Sequence, residues 1–270
     1  MKIIIRNCNV AELDIPLKYA TKLYNEFAIR HPNAFYLRTR QRGMQNWDGK
    51  IKYITKTGQF KIGLIPSVYK RCIELGIKPI IVDMRQPLPK VSKVVTQIGK
   101  YKLRPEQEKA VKAILSNKLG ETPFQIGVLD YTVNAGKTLI MSALYLSYKK
   151  QLKTLLITND SDWLNQARDE FKQYLPGEDI TFVQGKVLNW SNFTIGMVQS
   201  ISRNMKYYQN ELAKIDMVLI DEADQGGSKQ YQNVITRLFN TRVRIGLSGT
   251  IYMSKLAKDK VKNMNLRCFF

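Results

Sequence analysis

Apolar and polar positions follow two different patterns along the chain, and the change falls near residue 100. Beyond it, the runs FQIGVL, TLLIT, FTIGMV, DMVLI and VRIGLS are predominantly apolar, which is typical of strands covered on both faces. In the intervening segment DWLNQARDEFKQYL, Leu164, Ala167 and Phe171 fall on one helical face, and Asp160 or Ser161 can cap its start. Apolar strands alternating with helices predict an α/β domain with a parallel sheet.

Before about residue 85 the pattern is shorter and mixed. KIIIRNC indicates a strand, and Asp14 as N-cap with Pro16 early in the helix predicts a helix over PLKYATKLYNEFAI. FYLRTR and KIKYITKTGQFKIGLI follow, where alternating Ile51 and Tyr53 and the Thr57–Gly58 turn predict a hairpin. PSVYKRCIELG reads as a helix and KPIIVD as a strand. These signals predict a small N-terminal α+β domain.

The two patterns divide the chain into three parts. We predict an α+β domain over residues 1–85, a connector over 86–100 and an α/β domain over 101–270. The connector contains Pro87 and Pro89 and no acidic residue, which is typical of a linker.

Charge is the strongest compositional signal. The chain has 43 Lys+Arg against 22 Asp+Glu, a formal net charge of +21. Residues 1–100 hold 19 of the basic and 6 of the acidic residues, so the N-terminal domain is the more basic part. Such a field attracts a polyanion, most commonly nucleic acid. The alternative is a basic soluble protein without that role.

Other classes of chemistry have little support. Cys8, Cys72 and Cys268 are widely spaced, and His31 is the single histidine, which argues against a disulfide framework, a zinc module and a histidine-based catalytic site. The sequence shows neither a signal-peptide core nor an apolar stretch of membrane-spanning length. We therefore expect a cytoplasmic protein that does not use a membrane or zinc.

The segment YTVNAGKTLI ends like a phosphate-binding loop, G-x-x-x-x-G-K-[ST], although Tyr131 stands where the first glycine is usual. It lies between an apolar strand and a helix, as such a loop requires. Lys137 is then expected to reach the β- and γ-phosphates of a nucleotide, and the Thr138 hydroxyl to ligate Mg²⁺. Asn134, Ala135 and Gly136 complete the predicted loop. A chance G-K-T tripeptide in a turn is the alternative.

A second candidate lies 84 residues further on, where MVLIDEAD is an apolar strand that ends in acids. Asp221 is placed to hold the Mg²⁺ shell, and Glu222 to orient and deprotonate an attacking water. A solvated acidic loop is the alternative, and its pairing with a phosphate-binding loop disfavours it.

The four residues Asp221-Glu222-Ala223-Asp224 resemble motif II of superfamily 2 helicases and translocases, and other motifs of that superfamily match in order. These are Leu103-Arg104-Pro105 with Gln107 (the adenine-reading element), ITNDSDWLNQARDEF (motif Ia), MVQS with Gln199 and Ser200, and Ser248-Gly249-Thr250 (motif III). The resemblance implies a RecA-like fold that binds ATP and Mg²⁺.

The same resemblance assigns roles to individual residues. It implies that Arg104 and Gln107 bind the nucleotide and that Gln199 and Ser200 contact a nucleic-acid strand. It further implies that nucleotide state is coupled to nucleic acid through a group consisting of Asp224, Ser248, Gly249 and Thr250.

The N-terminal domain narrows the resemblance. RGMQNWDGKIKYI and GLIPSVYKRCIELGIKPIIVD are similar to the accessory domain of phage branch-migration helicases of the UvsW type. A basic cluster surrounds Trp47 there and suits backbone contact with base stacking; its members are Arg38, Arg40, Arg42, Lys50 and Lys52. The alternative is that Trp47 is a core residue and Asp48-Gly49 a plain turn.

The resemblance implies an ATP-dependent DNA helicase or translocase that remodels forks and Holliday junctions in phage recombination, repair or replication. Motors of this superfamily use a second RecA-like domain with arginine fingers, and no Q-x-x-G-R-x-x-R segment occurs here, so we expect a longer parent. Motif III reads S-G-T and no G-F-x-x-P-T-P-I-Q element precedes the loop, which favours DNA over RNA. The alternatives are an RNA helicase, a restriction-enzyme motor subunit, or a DNA-binding protein whose nucleotide fold does not hydrolyse ATP.

Overall fold

The computed structural model describes residues 1–131, 135–184 and 190–249, together with residues 264, 267 and 268. Two predicted site residues, Asn134 and Thr250, lie outside them. The N-terminal part contains β1 (Lys2–Ile5), β2 (Val10–Asp14), α1 (Leu17–Glu26), β3 (Ala28–Arg30), α2 (Ala34–Arg40), β4 (Lys50–Lys52), β5 (Gln59–Lys61), α3 (Ile65–Glu74) and β6 (Ile80–Asp83).

The remaining elements are β7 (Gln97–Ile98), β8 (Tyr101–Lys102), α4 (Pro105–Ser116), β9 (Lys118–Leu119), β10 (Thr122–Pro123), β11 (Ile126–Asp130), α5 (Lys137–Ser147), β12 (Thr154–Thr158), α6 (Ser161–Tyr174), β13 (Ile180–Val183), β14 (Phe193–Met197), α7 (Val198–Arg203), α8 (Met205–Ala213), β15 (Met217–Asp221), α9 (Lys229–Ile235) and β16 (Val243–Ser248). A short 3-10 helix spans Ala223–Gly227 after β15. Helices α7 and α8 were not predicted from the sequence.

The central sheet has six strands in the order β11-β16-β15-β12-β14-β13, and every neighbouring pair is parallel. This confirms the predicted α/β class and is typical of a RecA-like domain. Strands β12, β15 and β16 are buried along their whole length, because helices cover both faces of a parallel sheet. The carboxyl ends of β11, β16 and β15 therefore lie side by side at one edge.

Helix α6 forms as its pattern predicts. Asp160 is the N-cap, and its side chain accepts hydrogen bonds from the backbone N–H groups of Asp162 and Trp163. Leu164, Ala167 and Phe171 are buried. In the part of the chain that the structure describes, no helix is long and apolar enough to cross a bilayer.

The N-terminal sheet has the order β5-β2-β1-β6, with β6 parallel to β1. One local prediction was wrong here. Asp14 ends β2 and does not cap α1, whose N-cap is Pro16, because Asp14 takes part in the pairing of β2 with β1. The predicted turn at residues 55–58 forms, with an antiparallel bridge between Ile54 and Phe60. Beyond this bridge β4 pairs with β3 and β5 pairs with β2, so the hairpin is short and its strands extend into different sheets.

The predicted connector is packed against the α/β domain. Leu88, Val91, Val94 and Val95 contact its hydrophobic core. The backbone N–H of Val95 also donates to the Ser147 hydroxyl at 3.0 Å. These contacts fix the path of a segment whose sequence indicates a linker.

Polar contacts around Arg244 join the N-terminal part to the α/β domain. Arg244 is 1% exposed, and its Nη2 donates to Asn9 Oδ1 at 2.7 Å and to the Leu238 carbonyl at 2.9 Å. Asn9 Nδ2 in turn donates to the Thr236 carbonyl at 3.1 Å. Burial lowers the pKa of Arg244 to about 10, so the guanidinium remains charged near neutral pH and needs these partners.

Candidate nucleotide-binding site and nucleic-acid surface

Gly136 turns the chain into α5 in a conformation that favours glycine. Its φ of 77° and ψ of 43° lie in the left-handed region, which costs other L-residues about 1 kcal/mol or more. A Cβ at this position would also lie 2.5 Å from Gln107 Nε2. The glycine predicted from the motif is therefore required here by the backbone and by its neighbour.

The predicted adenine-reading element lies directly against the phosphate-binding loop. Gln107 Nε2 donates to the Ala135 carbonyl at 2.8 Å, and Gln107 Oε1 accepts from the Arg104 backbone N–H at 2.9 Å. Arg104 Nη2 donates to the same Ala135 carbonyl at 2.6 Å. Both polar ends of the Gln107 amide are engaged, so this side chain ties α4 to the loop, and an adenine-reading role for it stays a prediction.

Lys137 lies between the two acids that end β15. Its Nζ is 2.9 Å from Asp221 Oδ1 and 2.9 Å from Glu222 Oε1, and the Lys137 and Asp221 side chains are buried. Burial disfavours the ammonium, but the charges of Asp221 and Glu222 outweigh it and raise the pKa of Lys137. Burial raises the pKa of Asp221 despite the opposing charge of Lys137. The lysine stays protonated and holds both acids at the sheet edge.

The donor set here is suited to a divalent cation with phosphate. Asp221 Oδ1 is buried and, among the described residues, accepts no hydrogen bond of good geometry. The nearby Lys137 ammonium and the Glu222 backbone N–H stabilise the carboxylate. Thr138 is buried at the start of α5. A carboxylate and a hydroxyl at a helix start are hard oxygen ligands of the kind that Mg²⁺ takes beside phosphates, so Asp221 and Thr138 would hold the ion.

Glu222 has an unusual backbone conformation for its residue type. Its φ of 52° and ψ of 53° place it in the left-handed region, which is uncommon for residues other than glycine, asparagine and aspartate. The turn carries the carboxylate away from β15, so its side chain is one-third exposed while that of Asp221 is buried. Such backbone strain is concentrated at functional sites. The two adjacent acids therefore differ in access to solvent.

The three strand ends are joined by two contacts. Ser248 Oγ donates to Asp224 Oδ1 at 3.1 Å, and the Tyr131 backbone N–H donates to the Ser248 carbonyl at 2.8 Å. Tyr131 is not among the described residues with positive φ. The position that is usually the first glycine of the loop thus needs no left-handed backbone here, which explains why tyrosine is compatible with it. Gly249 follows Ser248 at the same edge.

Tyr231 is a site neighbour that sequence reasoning missed. Its ring is buried on α9, and its hydroxyl has no hydrogen-bond partner among the described residues. Burial, together with the charges of Asp221, Asp224 and Glu222, raises its pKa. Because Tyr231 lies in an amphipathic helix pattern, the sequence gives no sign that it approaches the acids.

Gln199 and Ser200, the predicted strand-contacting residues, lie near the start of α7 at the carboxyl end of β14. Both are half-buried. Gln199 Nε2 donates to the Asn159 carbonyl at 3.3 Å, which links this turn to the end of β12. The structure brings them to the same edge as the acids, and their contact with nucleic acid stays a prediction.

The predicted basic cluster lies in and around the β3-α2-β4 unit of the N-terminal part. Arg38, Arg40, Arg42 and Lys50 are exposed. Lys52 is engaged, with Nζ 3.1 Å from Asp48 Oδ2 and 4.7 Å from the centre of the Tyr24 ring.

Trp47 supports the unit from within. Its indole N–H donates to the Lys50 carbonyl at 3.0 Å, and its ring meets His31 edge-on at a centroid distance of 5.9 Å. The ring is half-buried. These contacts give Trp47 a structural role without making it a core residue, and its stacking on a base stays a prediction.

A parallel RecA-like sheet, a glycine-turned loop before α5 and two acids beside its lysine are typical of the P-loop class of nucleotide-binding domains. Residues 100–253 match the family described as "Type III restriction enzyme, res subunit". The chain belongs to this family, and its sequence resembles that of the superfamily 2 helicase UvsW.

Two relatives are viral proteins that are named for helicase activity. The chain is 24% identical over 227 residues to the ATP-dependent DNA helicase uvsW of Enterobacteria phage T4, covering 76% of this chain and 43% of the relative. It is 26% identical over 147 residues to a protein of Acanthamoeba polyphaga mimivirus named as a candidate ATP-dependent RNA helicase, L396, covering 54% of this chain and 27% of that protein. The chain thus spans less than half the length of either relative.

Solved structures share the fold. The crystal structure of bacteriophage T4 UvsW helicase matches with a TM-score of 0.74 and 20% identity, covering 100% of this chain and 98% of that one. A second T4 UvsW structure gives a TM-score of 0.75 and 21% identity, with 100% of this chain and 56% of that one covered. The structure of the Sulfolobus solfataricus SWI2/SNF2 ATPase core in complex with double-stranded DNA matches with a TM-score of 0.51 and 22% identity. The match covers 67% of this chain and 38% of that one.

Proposed function

We propose that this chain is the ATP-binding part of a DNA helicase or translocase that remodels branched DNA. The observation that carries the proposal is the placement of Lys137 within 2.9 Å of both Asp221 and Glu222 at the carboxyl edge of the sheet. The exposed arginines of the β3-α2-β4 unit support a nucleic-acid partner, because a basic surface binds the phosphate backbone. Of the relatives, the one covering more of this chain is named as a DNA helicase.

Each site residue has its own role in the proposed hydrolysis of ATP. Lys137 binds the terminal phosphates and compensates their charge, while the α5 start and the loop donate backbone N–H groups. Mg²⁺, when bound through Asp221 and Thr138, neutralises charge on the phosphates. Glu222, which is the more exposed of the two acids, orients the attacking water and accepts its proton.

We further propose that the complete motor includes a second RecA-like domain. The superfamily resemblance supports this, since such motors close their nucleotide site with an arginine from that domain. A missing arginine finger lowers phosphoryl-transfer rates by about 10³- to 10⁵-fold in related ATPase and GTPase chemistry. The 270 residues alone are therefore expected to bind ATP and hydrolyse it weakly, in a cytoplasmic setting.

The test is DNA-stimulated ATP hydrolysis by the full-length parent. Lys137→Ala and Glu222→Gln are each expected to lower it at least about 100-fold, the usual contribution of a positioned general base or phosphate ligand. Lys118→Ala and Glu121→Gln, at exposed positions around the β9–β10 turn, are the matched controls. Unchanged turnover in the site variants would refute the assignment, and stimulation by RNA rather than by forked DNA would favour the RNA-helicase alternative.

A further inference from the structure

Two neighbouring aromatic rings are exposed on α2. Phe35 is 80% exposed and Tyr36 is 56% exposed, whereas Ala34 is buried and Leu37 is half-buried. Ala34 and Leu37, three positions apart, occupy the inner face of this short helix. Phe35 and Tyr36 consequently point into solvent, although large apolar side chains are normally covered.

The helix that presents these rings is firmly anchored. The His31 backbone N–H donates to the Gly49 carbonyl at 2.8 Å, and the Ala34 N–H donates to the His31 carbonyl at 3.0 Å. Gly49 has a φ of 75°, and a Cβ there would lie 3.0 Å from the Ala34 Cβ, so the turn before β4 packs closely against the start of α2. Trp47 further supports α2 from below, because it contacts His31 and the Lys50 carbonyl. A ligand that stacks on Phe35 would therefore find a preformed surface.

The surroundings of the rings are strongly basic. Residues 28–52 contain six Lys+Arg and one acid, Asp48, which is paired with Lys52. Among the described residues, Arg38, Arg40 and Arg42 form no ion pair within 4.0 Å, and the Arg40 guanidinium lies 5.3 Å from the centre of the Tyr36 ring. Uncompensated arginines beside exposed rings are a poor surface for an apolar protein partner, because their charges would have to be desolvated.

The combination of exposed aromatic rings and basic side chains is suited to binding nucleic acid. Single strands are bound by basic groups along the backbone and by aromatic rings on which bases stack. Arg40 and Tyr36 already form a cation–π pair, so Tyr36 is partly covered on one side. Phe35 has no such ring contact among the described residues, and it is the more exposed of the two.

We propose that Phe35 stacks on an unpaired base at the branch point of a DNA fork, with Arg38, Arg40 and Arg42 on the flanking phosphates. This proposal rests on the proposed function, since it assumes a DNA partner. It adds that the protein distinguishes a branch point from plain duplex through the unpaired base that Phe35 contacts. Bases within a duplex are stacked on each other and leave no free face, whereas the first unpaired base at a junction has a face on which an aromatic ring can stack.

The experiment uses the 270-residue chain and a forked DNA with 2-aminopurine at the first unpaired position, beside a duplex of the same length. Affinity is measured by anisotropy and stacking by quenching of 2-aminopurine fluorescence. Phe35→Ala is expected to lower fork affinity about 5- to 100-fold and to abolish the quenching, since one base–aromatic stack contributes that much. Phe35→Trp should retain both. Leu17→Ala, at a position that is 75% exposed on α1, is the matched control and should behave as the unmodified chain.

The outcomes separate this proposal from the proposed function. If Arg38→Ala weakens fork and duplex binding while Phe35→Ala alters neither fork affinity nor quenching, stacking is refuted and DNA binding stands. An equal loss on fork and duplex in Phe35→Ala also refutes it, because the ring would then not read the branch. If the unmodified chain binds neither DNA, both proposals fail. If sedimentation shows that Phe35→Ala abolishes self-association of the DNA-free chain, the rings form a contact between copies and the proposal is overturned.

Discussion

The hydroxyl of Ser248 donates a hydrogen bond to Asp224 Oδ1 at 3.1 Å and so connects the end of β16 with the turn that follows β15. The same serine accepts the Tyr131 backbone N–H through its carbonyl at 2.8 Å. One residue thus contacts both the start of the phosphate-binding loop and the acidic turn. We therefore predict that this contact couples the two places.

Ser248→Ala is expected to lower DNA-stimulated ATP hydrolysis by the full-length parent about 10- to 100-fold, because a hydrogen bond to a carboxylate contributes about 1.5 to 3 kcal/mol. Ser248→Thr retains a hydroxyl and should lose much less. The measurement is the steady-state ATPase rate with and without forked DNA. Equal rates in the alanine and threonine variants would show that the hydroxyl is not used.

Gly136→Ala is expected to weaken ATP binding by the 270-residue chain at least about tenfold. Alanine would bring both the cost of a left-handed backbone and a Cβ 2.5 Å from Gln107 Nε2, and it would displace the amide that holds the Ala135 carbonyl. Gly120→Ala is the control, since Gly120 also has positive φ but has no atom within 4 Å of the added Cβ. Calorimetric titration with ATP distinguishes them. A similar loss in both variants would mean that backbone strain alone matters.

Asn9→Ala is expected to destabilise the folded chain by about 2 kcal/mol. The substitution removes the acceptor for Arg244 Nη2 and the donor to the Thr236 carbonyl, leaving a buried charge with fewer partners. Urea unfolding provides the measurement, and Asn33→Ala, at an exposed position, is the control. An unchanged unfolding midpoint would show that Arg244 finds another partner.

Asp83 links the two parts of the chain electrostatically, and its ionisation is expected to make the stability of the fold depend on pH. Its carboxylate pairs with Arg85 at 2.8 Å and with Arg242 at 3.1 Å. Burial opposes the charge, but these arginines outweigh it and lower the pKa of Asp83 below its ordinary 3.8. A carboxyl with a lowered folded pKa stabilises the fold above its unfolded pKa, and that contribution is lost as the pH falls through the folded value.

Asp83→Asn is therefore expected to lower the free energy of unfolding by about 3 kcal/mol near neutral pH, the usual effect of removing one partner of a buried pair. The difference from the unmodified chain should shrink below about pH 4. Urea unfolding across this range tests it, with the exposed Asp14→Asn as control. A difference that stays constant with pH would exclude the ionised carboxylate as its cause.

Much of the α/β domain follows from local sequence. The apolar strands, the Asp160 cap and the buried face of α6 were all predictable, because burial on both faces of a sheet and helix capping leave direct marks on the sequence. Gly136, Lys137, Asp221 and Glu222 could be identified for the same reason, since their spacing relative to strand ends is a local property.

What the sequence alone could not determine depends on which strands become neighbours. The pairing of β4 with β3 and of β5 with β2, the engagement of Gln107 with the Ala135 carbonyl and the approach of Tyr231 to the acids all join residues distant in sequence. The exposure of Phe35 likewise depended on the helical path of α2, which places Ala34 inward. Local propensity sets which segments form strands and helices, whereas long-range packing decides which side chains meet and which remain uncovered.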